Sequence, residues 1–140
     1  MQISARNILP GIVDNVIKGA VNAEVDLTLQ GGERMVAIIT NASVDAMTLS
    51  RGCSAFAIVK ASDVIVGKGV NGGKFSARNV LMGVVTKVQE GAVNSEVIIQ
   101  IRGGAEVAAS ITKVSALSLA LKDGDGVSAI IKASNVMIGV

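Results

Sequence analysis

Four short polar motifs each occur twice in this 140-residue chain. Ser4-Ala5-Arg6-Asn7 returns as Ser76-Ala77-Arg78-Asn79, and Lys60-Ala61-Ser62 as Lys132-Ala133-Ser134. Gly19-Ala20-Val21-Asn22 returns as Gly91-Ala92-Val93-Asn94, and Thr40 with Ser43 as Thr112 with Ser115. The chemistry these residues share is donation. A guanidinium fork, an ammonium, Ser and Thr hydroxyls and backbone N–H groups beside small side chains together suit an oxyanion. Ala61 and the Gly19-Ala20 pair have no bulk, so a ligand can approach the backbone there. Thr40 and Ser43 stand at the start of a predicted helix, where free N–H groups favour negative charge. A compact tetrahedral dianion would use all of these at once.

Taken singly, each motif also has a structural explanation. Arg6 fits a strand entry, Thr40 and Ser43 a helix cap, Gly19 to Asn22 a turn, and Lys60 a solvated strand end. Their joint recurrence is what points to binding. Turn chemistry accounts for retained Gly and Asn but does not require retained Arg and Lys. Catalysis has little to work with. The chain has no His, and its one Cys, Cys53, is matched by Asp125 in the other half. That removes His-based acid–base chemistry and His-containing metal sites. Glu24 and Glu96 are the one matched acidic pair, which leaves no carboxylate dyad within a repeat. Neither GxxxxGK[ST] nor GxGxxG occurs. We therefore expect no enzyme.

The motifs ride on a tandem duplication. Residues 1–68 align with 73–140 at a constant offset of 72 without a gap, and 29 of the 68 pairs are identical. The predicted domains are thus 1–68 and 73–140, joined by a linker at 69–72. Among the 13 Lys and Arg, only Arg6/Arg78 and Lys60/Lys132 match in kind. Within each half, period-2 alternation at 24–29 and a β-branched run at 34–40 flank Gly31-Gly32, which predicts a hairpin. Further strands are expected near 8–16, 54–60 and 63–67, with equivalents at 80–88, 126–132 and 135–139. Val114, Leu117 and Leu121 share a helical face after Thr112, a suitable N-cap, and Gly52 and Gly124 are expected to end the segment. Five short strands and one small helix per half predict an all-β fold of two tandem OB-like five-stranded barrels. Such a unit buries little on its own, yet half the residues are apolar. Packing between the halves and between subunits is expected.

The remaining composition excludes several classes. Net charge is only +2, and two Phe with no Trp or Tyr supply no base-stacking platform. No apolar run approaches the ~20 residues of a membrane helix, and no signal peptide is read at the N-terminus. A cytoplasmic location without membrane or nucleic-acid partners is the expectation.

In order and spacing the four motifs, including Gly19 to Val25, resemble the Mop domain, a small molybdate-binding module, over nearly the whole chain and twice. That resemblance implies a di-Mop protein with OB-like barrels, serving as a cytoplasmic store for molybdate and also tungstate, without an organic cofactor. It implies a homotrimer with oxyanions held between domains and no direct protein–metal ligands. One site type would use Ser4, Arg6, Asn7, Thr40, Ser43, Lys60, Ala61 and Ser62, with Ser76, Arg78, Asn79, Thr112, Ser115, Lys132, Ala133 and Ser134 in the second half. The cation motif of one domain would meet the Lys-Ala-Ser motif of another. A second type would use Ala20, Val21, Asn22, Ala92, Val93 and Asn94 near a symmetry axis. Two other functions compete: an OB-type nucleic-acid binder, and a structural oligomerisation module in which the matched cations form interface ion pairs.

Overall fold

The structure is a computed structural model that describes residues 2–140. The first repeat forms β1 (Asn7–Lys18), β2 (Asn22–Leu29), β3 (Arg34–Thr40), α1 (Asn41–Ala46), β4 (Ser54–Val59) and β5 (Ile65–Gly67). The second forms β6 (Asn79–Glu90), β7 (Asn94–Ile101), β8 (Glu106–Thr112), α2 (Lys113–Ser118), β9 (Gly126–Ile131) and β10 (Met137–Gly139). One 3-10 turn, Ala61–Asp63 or Ala133–Asn135, precedes each last strand. The strands make two curled five-stranded antiparallel sheets, the OB-like architecture expected.

The fifth strand of each repeat does not pair with its own repeat. The sheet orders are β10-β4-β1-β2-β3 and β5-β9-β6-β7-β8. Met137 pairs with Ile58, and Ile65 with Ile130. Each repeat thus supplies four strands to one sheet and exchanges the fifth. Alternation within the sheets sends Val13, Val25, Leu27 and Met35 inward in the first half, and Val85, Val97, Ile99 and Val107 in the second. These side chains belong to one apolar cluster that runs through both halves.

The hairpins form where Gly31-Gly32 and Gly103-Gly104 predict them, and the glycines serve two purposes. Gly32, Gly103 and Gly104 adopt positive φ, which the turns require. Gly31 does not. A Cβ on Gly31 would lie 2.8 Å from the Gly103 carbonyl oxygen, so the two hairpin tips meet backbone to backbone.

The helices differ from expectation in what they bury and where they end. Val114 and Leu117 face outward, at 75% and 58% exposure, and Ala116 packs inward in their place, as Val44 does in α1. A helix of six residues lying on a barrel rim buries only one position. Each helix stops before the expected glycine. Thr48 and Ala120 take left-handed φ values of 52° and 48° directly after the C-caps Met47 and Leu119. Gly52 and Gly124 lie in the following turn, where their N–H groups donate to Val13 and Val85.

Candidate oxyanion site

The Ser-Ala-Arg-Asn segments enter β1 and β6 at the seam between halves. Asn7 is 2% exposed. Its Nδ2 donates to the Ala108 carbonyl at 2.9 Å, and its Oδ1 accepts from the Ala108 N–H at 2.7 Å. Asn79 does the same to Val36, at 2.8 and 2.7 Å. These amides therefore mimic a strand pairing, and their hydrogen-bonding groups are spent on the opposite half. Of the predicted ligand set, these two therefore have their side-chain amides engaged within the chain.

That anchoring carries Arg6 to Glu96 on β7, with Nη1 to Oε2 at 2.5 Å and Nη2 to Oε1 at 3.0 Å. Arg78 reaches Glu24 on β2 through one contact, Nη1 to Oε1 at 2.7 Å. Each guanidinium holds its carboxylate partner below the usual range for a glutamate, and Glu96 in turn raises Arg6. The only matched acid pair thus binds the only matched Arg pair, crosswise.

Lys60 leaves β4 beside this point. Asn7 pairs with Val59, so the register sets Arg6 and Lys60 at adjoining strand ends; Asn79 with Ile131 sets Arg78 and Lys132 likewise. Both lysines are exposed, and among the described residues neither forms an ion pair. The turn after Lys60 packs on β8, and the turn after Lys132 on β3. Ser62 consequently lines a groove of about 460 Å³ with Ser110 and Ser115 of the second half. Ser110 also borders the neighbouring groove that holds Glu96 and Asn94. Within the chain, then, the Arg and Lys motifs of one repeat lie together. The turn that follows each Lys meets the third strand of the other repeat.

Thr40 caps α1, accepting the Ser43 N–H at 3.1 Å and donating to Ser43 Oγ at 2.8 Å. Thr112 and Ser115 repeat this at 3.1 and 2.8 Å. The Thr hydroxyl proton is used in the cap. The Ser hydroxyl proton remains free to donate outward. The Gly19–Asn22 turn closes through a 2.8 Å bond from the Gly19 N–H to the Asn22 carbonyl, and Asn41 ties it to α1. Ala20, Val21 and Asn22 are exposed there, as are Ala92, Val93 and Asn94, with Val21 at 71% and Val93 at 75%.

Ser110, like Ser118, is a groove residue that the sequence did not single out. Its repeat equivalent is Ile38, so a search for matched polar positions passes over it. Its register with Glu96 across β7 and β8 is the signal that would have found it.

Each half thus presents a cradle: an Arg and a Lys at adjoining strand ends, with the turn after the Lys packed on the third strand of the other repeat. The TOBE domain family matches twice, at residues 3–66 and 76–138. The molybdenum-pterin-binding protein MopA of Rhodobacter capsulatus is 40% identical over all 140 residues, and the chain spans about half (53%) of that relative's length. The molybdenum-pterin-binding protein 2 of Clostridium pasteurianum is 42% identical over 66 residues, which cover 47% of this chain and 97% of that protein. A crystal structure of the cytoplasmic molybdate-binding protein ModG with molybdate bound superposes with a TM-score of 0.97 at 44% identity, covering 100% of this chain and 99% of that one. The chain belongs to the TOBE domain family, as two tandem copies of the Mop type.

Proposed function

We propose that this protein captures molybdate, and tungstate as the same kind of tetrahedral dianion, at the cradles where its halves meet. It acts as a cytoplasmic store or buffer and not as an enzyme. The observation that carries this reading is the double construction of one donor set: Lys60 and Lys132, which form no ion pair among the described residues, beside Arg6 and Arg78 at adjoining strand ends, with Ser62, Ser110 and Ser115 lining a groove beyond Lys60. The ligands named for MopA and ModG support it. Ala20 to Asn22 and Ala92 to Asn94 form a second site type, completed when three chains assemble around an axis. The exposed Val21 and Val93 at these turns, with Val114 and Leu117 on α2, supply apolar surface for that assembly.

Selectivity follows from size. Fixed donors that all reach a large oxyanion leave some bonds to a smaller one unmade, at about 1–3 kcal/mol per unpaired buried group. Calorimetric titration with molybdate, with sulfate and phosphate alongside, tests this. Heat with molybdate alone is expected; silence with molybdate, or equal binding of sulfate, ends the reading. Sedimentation equilibrium is expected to give a trimer, and a monomer at micromolar concentration would remove the second site type.

A second reading has an observation of its own. The crosswise pairs Arg6–Glu96 and Arg78–Glu24 are what a structural module would show. Arg6→Ala with Arg78→Ala separates the two. Lost anion affinity with the fold and assembly kept favours binding, and lost assembly with affinity kept favours the structural role.

A further inference from the structure

Asp26 is the most buried ionisable residue among the described residues, at 8% exposure overall and 11% for its side chain. Its Oδ1 has no hydrogen-bond partner. Its Oδ2 lies 3.7 Å from Arg34 Nη2, close enough for charge attraction but too far for a hydrogen bond. It stands two residues beyond Glu24 on the same face of β2, within hydrogen-bonding reach of it. Glu24 is the carboxylate that holds Arg78.

The second cradle lacks this arrangement. Ile98 occupies the position of Asp26, and Glu106 that of Arg34. There Glu96 grips Arg6 with both oxygens, whereas Glu24 grips Arg78 with one. The groups facing Asp26 from its surroundings are few. β1 presents Asn15 in register, and Asp14 of β1 accepts a hydrogen bond from Thr28. β3 presents Arg34 and the Val36 backbone, which Asn79 of the second half has engaged. The second half adds Arg78, and Lys132 at the head of the turn that packs on β3.

We propose that Asp26 makes the Arg78 cradle a proton-gated anion site. When protonated, Asp26 donates its hydroxyl to Glu24 and leaves a single negative charge between Arg78 and Arg34, so an incoming dianion displaces Glu24 from the guanidinium. When ionised, Asp26 places a second negative charge beside the cradle, which strengthens the hold on Arg78 and repels the dianion. Affinity at this cradle therefore rises as pH falls through the titration of Asp26, while the Arg6 cradle does not share that dependence. Burial, and then the neighbouring Glu24, hold the Asp26 carboxyl above the usual aspartate range, and Arg78 holds Glu24 below its own. The pair thus keeps a proton at higher pH than an isolated aspartate would. The inference rests on the oxyanion reading of the cradle.

The test is calorimetric titration of the full chain with molybdate from pH 4.0 to 8.5, a window that opens at the ordinary aspartate range and extends above it, using wild type, Asp26→Asn and Asp26→Ile. Asparagine is a permanently neutral donor of the same shape, and isoleucine is what the second repeat carries. Wild type is expected to show one class of site that weakens as pH rises. Asp26→Asn is expected to bind there roughly fivefold to tenfold tighter than wild type at the alkaline end, where a nearby charge has been removed, and to lose the pH dependence. Asp26→Ile is expected to lose the dependence as well; should it fail to fold, the asparagine variant decides. Binding by wild type with the same pH profile in folded Asp26→Asn overturns the gate and spares the oxyanion reading. No molybdate binding by any variant overturns both.

Discussion

Asn7 and Asn79 each satisfy one N–H and one C=O of a buried strand in the opposite half. Truncating Asn7 to Ala would orphan both groups on Ala108, and a loss of about 2–4 kcal/mol in urea unfolding is expected. Lys60 and Lys132 have the opposite character, exposed and without an ion pair among the described residues. Replacing both with Ala is expected to lower molybdate affinity by about tenfold or more, as lost charge-assisted bonds would, with the melting temperature unchanged. Unchanged affinity in that folded variant would remove the lysines from the site. The Arg6–Glu96 pair has a pH signature. Arg6 depresses the Glu96 carboxyl, so the pair's stabilisation is fully present above the unfolded glutamate value of about 4.3 and is lost as pH falls through the lower folded value. Acid titration of the urea midpoint should therefore fall less steeply in Glu96→Gln than in wild type.

The short helices end at a strained residue in both repeats. Thr48 is β-branched and held at φ 52°, and Ala120 at 48°. Thr48→Gly should relieve the steric cost of the left-handed region and raise stability by about 1 kcal/mol, less the entropy glycine adds to the unfolded chain. Thermal unfolding measures it. The exchanged strands are not equally fastened. Lys68 Nζ, just past β5, donates to the Leu119 and Ala120 carbonyls at 3.0 and 3.3 Å and to Asp125 Oδ2 at 3.0 Å. The matching residue after β10 is Val140, which has no such reach. Lys68→Ala is expected to speed amide exchange in the β5–β9 pair and to leave β4–β10 unaffected. Equal acceleration of both would show that Lys68 supports the whole interface and not one strand.

Across the molecule, strand exchange means that neither sequence repeat is a closed structural unit. Residues 1–68 expressed alone would leave the edge of β4 open and β5 without a partner, so the fragment should associate as a symmetric pair that exchanges fifth strands. Size-exclusion chromatography would read this, and a folded monomer would argue against it. The Gly31–Gly103 contact lies on the same seam. Gly31→Ala would press a methyl carbon to 2.8 Å from the Gly103 carbonyl oxygen, backbone that cannot step aside cheaply. The two hairpin tips would have to separate, with lower stability of the whole chain.

Periodicity, β-branched runs and the glycine pairs placed every hairpin and strand to within a few residues, because those signals are local and each half states them twice. The matched motifs also nominated candidate donors, since hydroxyls, cations and amides announce their chemistry by type. What the linear order could not decide was partnership. The fifth strands carry the same apolar pattern, so pairing within a repeat and pairing across repeats satisfy the same local rule; the path of the chain after the 3-10 turn chose between them. The same crossing engaged the Asn7 and Asn79 amides with the opposite half, joined each Arg to the opposite Glu, and made a groove residue of Ser110. Asp26 drew no notice in the sequence because nothing in the second repeat matches it, and only folding buried it beside Glu24. Residue chemistry is a property of the chain, but charge pairing and burial depend on which surfaces meet, and that is settled in three dimensions.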